Sequence, residues 1–308
     1  RNKMEFSFGD QEKDGPLCLG LHQKRSFFNI LNTEDCRLPD ADMGKILLVT
    51  REFFSERGIP YFHKKRHEGY LRHLLIRRAE KTGEILVSLI HAGWDGTSAP
   101  LRNEGEEKLL SDWCSALLKL QEEGEICGRF AGILHTRNDS LADAVINQGT
   151  EILFGKDCFY EELLGLRFKI TPFSFFQTNT LGAEKLYSKI REYADLSDSA
   201  AEKPLIFDLY SGTGTITQLM SRVAREAYGV EIIEEAVESA KENAKDNGIT
   251  NCHFIAGDVL KVLEESAKRE EAKEEKLQKE DQHGEENLET NVLPHPDFII
   301  VDPPRDGM

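Results

Sequence analysis

"KPLIFDLYSGTGTITQLMSRVA", residues 203–224, decides the fold. An apolar strand runs into a glycine-rich turn, and a helical pattern follows. Gly212 and Gly214 let the backbone turn tightly and approach a ligand closely. The spacing departs from G-x-G-x-x-G, because Thr217 stands where the third glycine would fall. Downstream the same alternation repeats. "EAYGVE" (226–231) is a short strand ending at Glu231, and the long helix after it closes at Asn247-Gly248. "NCHFIAGDVL" (251–260) is a third strand, ending near Asp258, and "DFIIVDPP" (297–304) is a fourth, with Asp302 at its tip. Strands alternating with helices predict an α/β, doubly wound parallel sheet.

Glu231 lies 17 residues after Gly214, at the tip of the next strand. A carboxylate there accepts hydrogen bonds from the two hydroxyls of an adenosine ribose. Asp258 falls where an adenine edge would lie, and equally where a helix N-cap would. Both NAD and S-adenosylmethionine fit an adenosine site. The Asp-Pro-Pro tip separates them. Pro303 and Pro304 hold the backbone extended and remove donors, and the carboxylate stands where a planar substrate would meet a transferring group. That is a methyltransferase arrangement.

The first half is different. "LGLHQKRSFFNI" (19–30) alternates like a strand, and "ADMGKILLVTREFFSERG" (41–58) has helical spacing that stops at a glycine. "YLRHLLIRRA" and "EILVSLIHA" form a hairpin around Gly83. A second amphipathic helix over 106–124 and strands at 127–136 and 149–157 complete an α+β domain, assigned to residues 1–168. Residues 169–308 form the cofactor-binding domain. An acidic, low-complexity insertion over 262–293 has no face to bury and reads as mobile.

Four stretches in this order, "FKITPFSFFQTNT", "DLYSGTGTI", "YGVE" and "VDPPRDG", resemble the RNA uracil-5-methyltransferases, which make 5-methyluridine in transfer and ribosomal RNA. The resemblance covers nearly the whole chain and implies a partial class I, Rossmann-like methyltransferase domain with strand order 3-2-1-4. It implies S-adenosylmethionine as cofactor, contacted by Gln177, Tyr210, Thr215, Glu231, Asp258 and Asp302. Phe175 and Arg305 fall near the target base and its RNA, with ribosomal RNA preferred to transfer RNA. One of Phe175 and Phe176 is expected in the core.

In that family a cysteine thiolate adds to carbon 6 of uracil, carbon 5 takes the methyl group, and a carboxylate base removes the carbon-5 proton. The nucleophilic Cys and the base Glu lie beyond the DPPR motif and outside this sequence, so the chain alone is expected to be inactive. Ser211 stands where the pattern often carries Cys, and that position is not the nucleophile. Cys36 resembles the late ligand of an iron–sulfur cluster whose other three ligands the sequence does not supply, so no metal is expected. Two rivals stand: a methyltransferase acting on another atom, such as an exocyclic amine, and a catalytically dead RNA-binding module.

Composition constrains the partners. The formal net charge is −16, which by itself argues against nucleic acid. Residues 57–78, however, carry seven Lys or Arg and three His against one acid. That run is the candidate RNA face. Six scattered cysteines without C-x-x-C spacing suit reduced thiols in the cytoplasm. With no apolar run of membrane length, a monomer that engages no membrane is expected.

Overall fold

The computed structural model describes residues 1–26, 28–93, 105–142, 145–195, 203–268 and 293–303. The chain forms two units. The first is Arg1–Glu162 with Lys169–Phe173 and Gln177–Leu181, and the second is Leu163–Phe168 and Ser174–Phe176 with Gly182–Met308.

The first unit contains β1 (Lys3–Gly9), β2 (Cys18–His22), β3 (Ile30–Asn32), α1 (Ala41–Glu56), β4 (Leu71–Arg78), β5 (Glu84–His91), α2 (Glu106–Glu122), β6 (Arg129–Arg137) and β7 (Thr150–Gly155). The strands make one sheet, ordered β3-β2-β1-β4-β5-β6-β7. The predicted β4–β5 hairpin turns at Gly83, whose φ is 68°. β5 and β6 pair in parallel, and α2 is the crossover a parallel pair requires. Both helices lay their apolar stripes on the sheet. Met43, Ile46, Leu47 and Phe54 of α1 and Leu110, Trp113 and Leu117 of α2 pack with Leu74, Ile76, Val87 and Ile133.

Asp42 ties this unit together. Asp40 caps α1 by accepting from the Asp42 amide at 3.0 Å. The buried Asp42 carboxylate then accepts from the Cys127 and Gly128 amides, both at 2.8 Å, and from Arg78 Nε at 3.0 Å. Burial pushes its carboxyl up, but these donors outweigh burial and hold it below the usual carboxylate range.

Two expectations change here. The single strand expected over 19–30 is two, β2 and β3, because Gln23 and Asn29 close a polar turn through an amide-to-carbonyl bond of 2.9 Å. The N-terminal stretch forms the interior strand β1, with Phe6 and Phe8 in the core. The basic run 57–78 is not one surface. Arg72 and Arg77 lie on a central strand and are 5% and 1% exposed. Arg72 donates to the carbonyls of Asn138, Ser140 and Ala142, and Arg77 to those of Thr171 and Pro172.

β8 (Phe159–Leu163) and β9 (Leu166–Ile170) form a two-stranded sheet that sequence patterning did not reveal. Its turn, Leu164-Gly165, has positive φ at both residues (48° and 78°), the geometry of a tight hairpin.

The second unit contains most of α3 (Thr180–Asp195), then β10 (Leu205–Leu209), α4 (Thr215–Met220), β11 (Glu226–Glu231), α5 (Glu234–Asp246), β12 (Cys252–Ala256) and β13 (Phe298–Val301). The strands are parallel and ordered β12-β11-β10-β13, the predicted 3-2-1-4. Residues 259–268 are helical. The assigned insertion is not free at its ends. Val262, Leu263 and Leu293 pack on the core formed by Leu205, Phe207, Leu209 and Val230. The rest of it, 269–292, lies outside the described residues. No helix among the described residues is long and apolar enough to cross a membrane.

Candidate functional site

Parallel pairing brings the strand tips of the second unit level. Leu209 partners both Val230 and Val301, and Val230 partners Ile255. One residue further along each chain stand Tyr210, Glu231 and Asp302, and Asp258 follows β12 by two. Ligands of open α/β sheets bind outside these carboxyl ends. The residues singled out in the sequence, Tyr210, Thr215, Glu231, Asp258 and Asp302, follow or face these strand ends in one unit. Tyr210 has a φ of 67°, uncommon for a bulky residue, and such strain concentrates at functional sites.

The two glycines of the turn serve different ends. Gly214, at φ 70°, has no room for a side chain: a Cβ would sit 2.5 Å from the Phe254 ring and 2.8 Å from Ala240. Gly212 is also left-handed, at φ 55°, but a Cβ there would meet nothing within 4 Å. One glycine lets α4 close on its neighbours, while the other leaves an open flank that a ligand can approach.

Glu231 holds that turn. Its Oε2 accepts from the Gly212 amide at 2.9 Å and its Oε1 from the Ile233 amide at 3.0 Å. A carboxylate offers about four lone-pair sites, so these two bonds leave capacity for a pair of hydroxyls.

Sequence reasoning missed Asp208. It lies one residue before the tip of β10, in a strand otherwise made of Leu, Ile, Phe and Leu, and it is fully buried. A lone acid inside an apolar strand was the available signal. Its Oδ2 accepts from the Thr217 amide at 2.9 Å and hydroxyl at 2.6 Å. Its Oδ1 has no partner among the described residues. Burial pushes the carboxyl up to about 7, against the Thr217 bonds and with help from the nearby charges of Asp302 and Glu231. Gly229 on the adjacent strand keeps the space clear, since a Cβ would come within 2.8 Å of Ser211 Oγ and Thr217 Oγ1.

The remaining candidates divide. Asp258 caps the helix that starts at residue 259, with Oδ1 accepting from the Lys261 amide at 3.1 Å. Thr215 opens α4 and is half-buried, and Asp302 is exposed. Phe176 is the core residue of its pair, 6.1 Å from the Phe168 ring, whereas Phe175 is 69% exposed. Gln177 belongs to the first unit, where its backbone carbonyl accepts from Asn2 Nδ2 at 2.8 Å. Arg305 lies outside the described residues. Cys252, the one cysteine of the second unit, sits at the start of β12, and its thiol donates to the Thr217 carbonyl at 3.4 Å. Burial, and then the charge of Asp208, push that thiol up to about 12. No cluster of His, Cys, Asp and Glu among the described residues could hold a metal ion.

Comparison with known proteins agrees with this geometry. A family described as "Methyltransferase domain" matches residues 203–276. Proteins named as uncharacterized RNA methyltransferases in Caldanaerobacter subterraneus subsp. tengcongensis and in Clostridium tetani are each 42% identical over all of this chain. The chain spans 58% of the length of each. Among solved structures, the tRNA (uracil-54, C5)-methyltransferase of Pyrococcus abyssi, in complex with S-adenosyl-L-homocysteine, has a TM-score of 0.63 at 23% identity. That match covers 100% of this chain and 60% of the other, and it shows a shared fold. By sequence along its whole length and by the Rossmann-like, class I fold of its second unit, the chain is a homologue of proteins named RNA methyltransferases.

Proposed function

We propose that the crevice at the tips of β10, β11, β12 and β13 binds S-adenosylmethionine, within an RNA methyltransferase that acts on carbon 5 of a uridine. The observation that carries the cofactor reading is the Glu231–Gly212 bond beside the open flank of Gly212. It presents a carboxylate with spare acceptor capacity next to backbone that a ligand can approach. The orphaned Oδ1 of Asp208 beneath the same tips adds a buried polar atom in need of a partner.

In this reading Glu231 binds the ribose hydroxyls and Asp258 stands beside the adenine edge. Tyr210 and Thr215 line the glycine turn, and Asp302 and Pro303 face the methyl-accepting side. S-adenosylmethionine supplies an electrophilic methyl group there. Phe175, exposed in the second unit, is available to a flipped-out base. The RNA substrate is supported by the names of the full-length relatives, and carbon 5 of uridine by the sequence motifs together with the fold shared with a uracil-C5 enzyme. Carbon-5 chemistry needs a thiolate. Cys252 does not provide it, because its half-buried thiol is pushed up and bonded to the Thr217 carbonyl.

Calorimetric titration of the chain with S-adenosyl-L-homocysteine tests the cofactor reading. Saturable binding that NAD does not compete supports it, and preference for NAD overturns it. Tritium release from RNA carrying [5-3H]uridine, measured on the protein at the length of its relatives, tests the position. Methylation at an exocyclic amine transfers a methyl group but releases no tritium.

A further inference from the structure

The bases at the start of the 57–78 run do reach a surface, and they do so beside aromatic rings. Residues 61–71 form a tight hairpin ahead of β4, closed by the His63 amide on the Glu68 carbonyl and the Phe62 amide on the Leu71 carbonyl, both at 2.7 Å. Gly69, at φ 107°, is required there, because a Cβ would run into the Tyr61 carbonyl oxygen. The hairpin forms one wall of a groove of about 530 Å³, within the ~300–1,000 Å³ typical of small-ligand sites. Lys64, Lys65 and Arg66 line it with Phe28, Tyr61 and Asp10.

Both rings border the groove. Tyr61 is fixed by its hydroxyl on Asp10 Oδ2 at 2.9 Å, and its ring stacks on His63 with centroids 6.2 Å apart. Phe28 is 46% exposed, and Lys65 Nζ lies 4.6 Å from its centroid. Lys13 and Asp14 also line the groove, so four Lys or Arg face two carboxylates in a chain whose net charge is −16. Bases beside aromatic faces are what a single-stranded nucleic acid needs: cations for phosphates and rings on which nucleobases stack. The two carboxylates disfavour an acidic peptide, but they suit a ligand that presents N–H edges as well as phosphates.

We propose that this groove of the first unit binds an unpaired segment of the substrate RNA, with a base stacked on Phe28 and the flanking phosphates on Lys64, Lys65 and Arg66. The base takes the ring face over which Lys65 now lies, and the displaced ammonium meets a phosphate. This inference rests on the RNA reading above and adds a contact site to it.

The test is fluorescence anisotropy of the 308-residue chain with a labelled, unstructured ten-nucleotide RNA, alongside calorimetry with S-adenosyl-L-homocysteine. Lys65, Arg66 and Phe28 are exposed, so their replacement leaves the core intact. The double variant Lys65→Ala, Arg66→Ala is expected to weaken RNA binding at least tenfold and to lower the slope of log affinity against log salt by about 1.4. Phe28→Ala is expected to cost about tenfold with an unchanged salt slope. S-adenosyl-L-homocysteine binding should stay unchanged in both. If both variants keep the wild-type RNA affinity, the groove is not the site while the RNA reading stands. If the wild type binds no RNA, both fall and the cofactor reading is judged by calorimetry alone. If adenosine monophosphate binds the groove as tightly as the oligonucleotide, the site is one for small nucleotides and the proposal is overturned.

Discussion

Glu231 Oε2 accepts the Gly212 amide at 2.9 Å, so the carboxylate that ends β11 braces the glycine turn that ends β10. Cofactor binding and the shape of the turn are therefore coupled through one side chain. Glu231→Gln keeps one acceptor oxygen and turns the other into a donor facing an amide. Affinity for S-adenosyl-L-homocysteine is expected to fall at least tenfold, and stability by about 1–3 kcal/mol. Calorimetry and urea unfolding measure the two. An unchanged affinity would show that the ribose is held elsewhere.

The two turn glycines should respond differently to a methyl group. Gly214→Ala meets both a left-handed backbone and the Phe254 and Ala240 side chains, and is expected to cost roughly 3 kcal/mol. Gly212→Ala meets only the backbone term, about 1 kcal/mol. It is expected to weaken cofactor binding more than its stability cost suggests. Equal stability losses in denaturant would contradict the packing difference.

Asp208 makes the second unit less stable as pH rises. Its folded value, about 7, lies above the 3.8 of the free carboxyl, so between these the folded state holds a proton the unfolded state has lost. Stability then falls from about pH 4 to about pH 7 and is level above that. The cost of ionising the group in place reaches roughly 4 kcal/mol. Asp208→Asn keeps an acceptor for Thr217 and removes this dependence. Hydrogen exchange of the β10 amides at pH 4.5 and 7.5 should show wild-type protection falling more than that of the variant.

Asp42 has the opposite sign. Its carboxyl is held low by the Cys127 and Gly128 amides and Arg78, against burial, so its stabilisation is full above pH 4 and is lost as pH falls through the folded value. Asp42→Ala also leaves two amides and a guanidinium without their shared acceptor, and is expected to cost about 3 kcal/mol at pH 7. Trp113 is fully buried in this unit and the sequence has no tryptophan beyond it, so its fluorescence reports the unfolding of this unit. A variant within 1 kcal/mol of wild type at pH 7 would show that Arg78 and the amides find other partners.

What the sequence disclosed depended on whether the signal was local. The β10–α4–β11–α5–β12 alternation is written in contiguous apolar runs and glycine punctuation, and its order emerged as predicted. Glu231 and Asp302 stand out in the sequence because each ends such a run. Asp208 escaped because an acid within a strand has meaning only once the Thr217 hydroxyl, nine residues on, is seen to meet it. Arg72 and Arg77 were misread as surface charge because their acceptors are carbonyls 66 to 95 residues away, which no window of local pattern includes. The β8–β9 turn escaped because Leu164 takes a left-handed conformation without being Gly, Asn or Asp.

The first unit draws in residues 169–173 and 177–181 from beyond the start of the second. Arg77 finishes its hydrogen bonds on Thr171 and Pro172, Asn2 on Gln177 and Thr180, and buried Glu161 on the Thr180 hydroxyl. A recombination crossover at residue 162 would strip the first unit of these partners, and one after residue 181 would strip the second of residues 163–168 and 174–176. The two units interleave along the chain, so no single cut between residues 162 and 182 separates them cleanly.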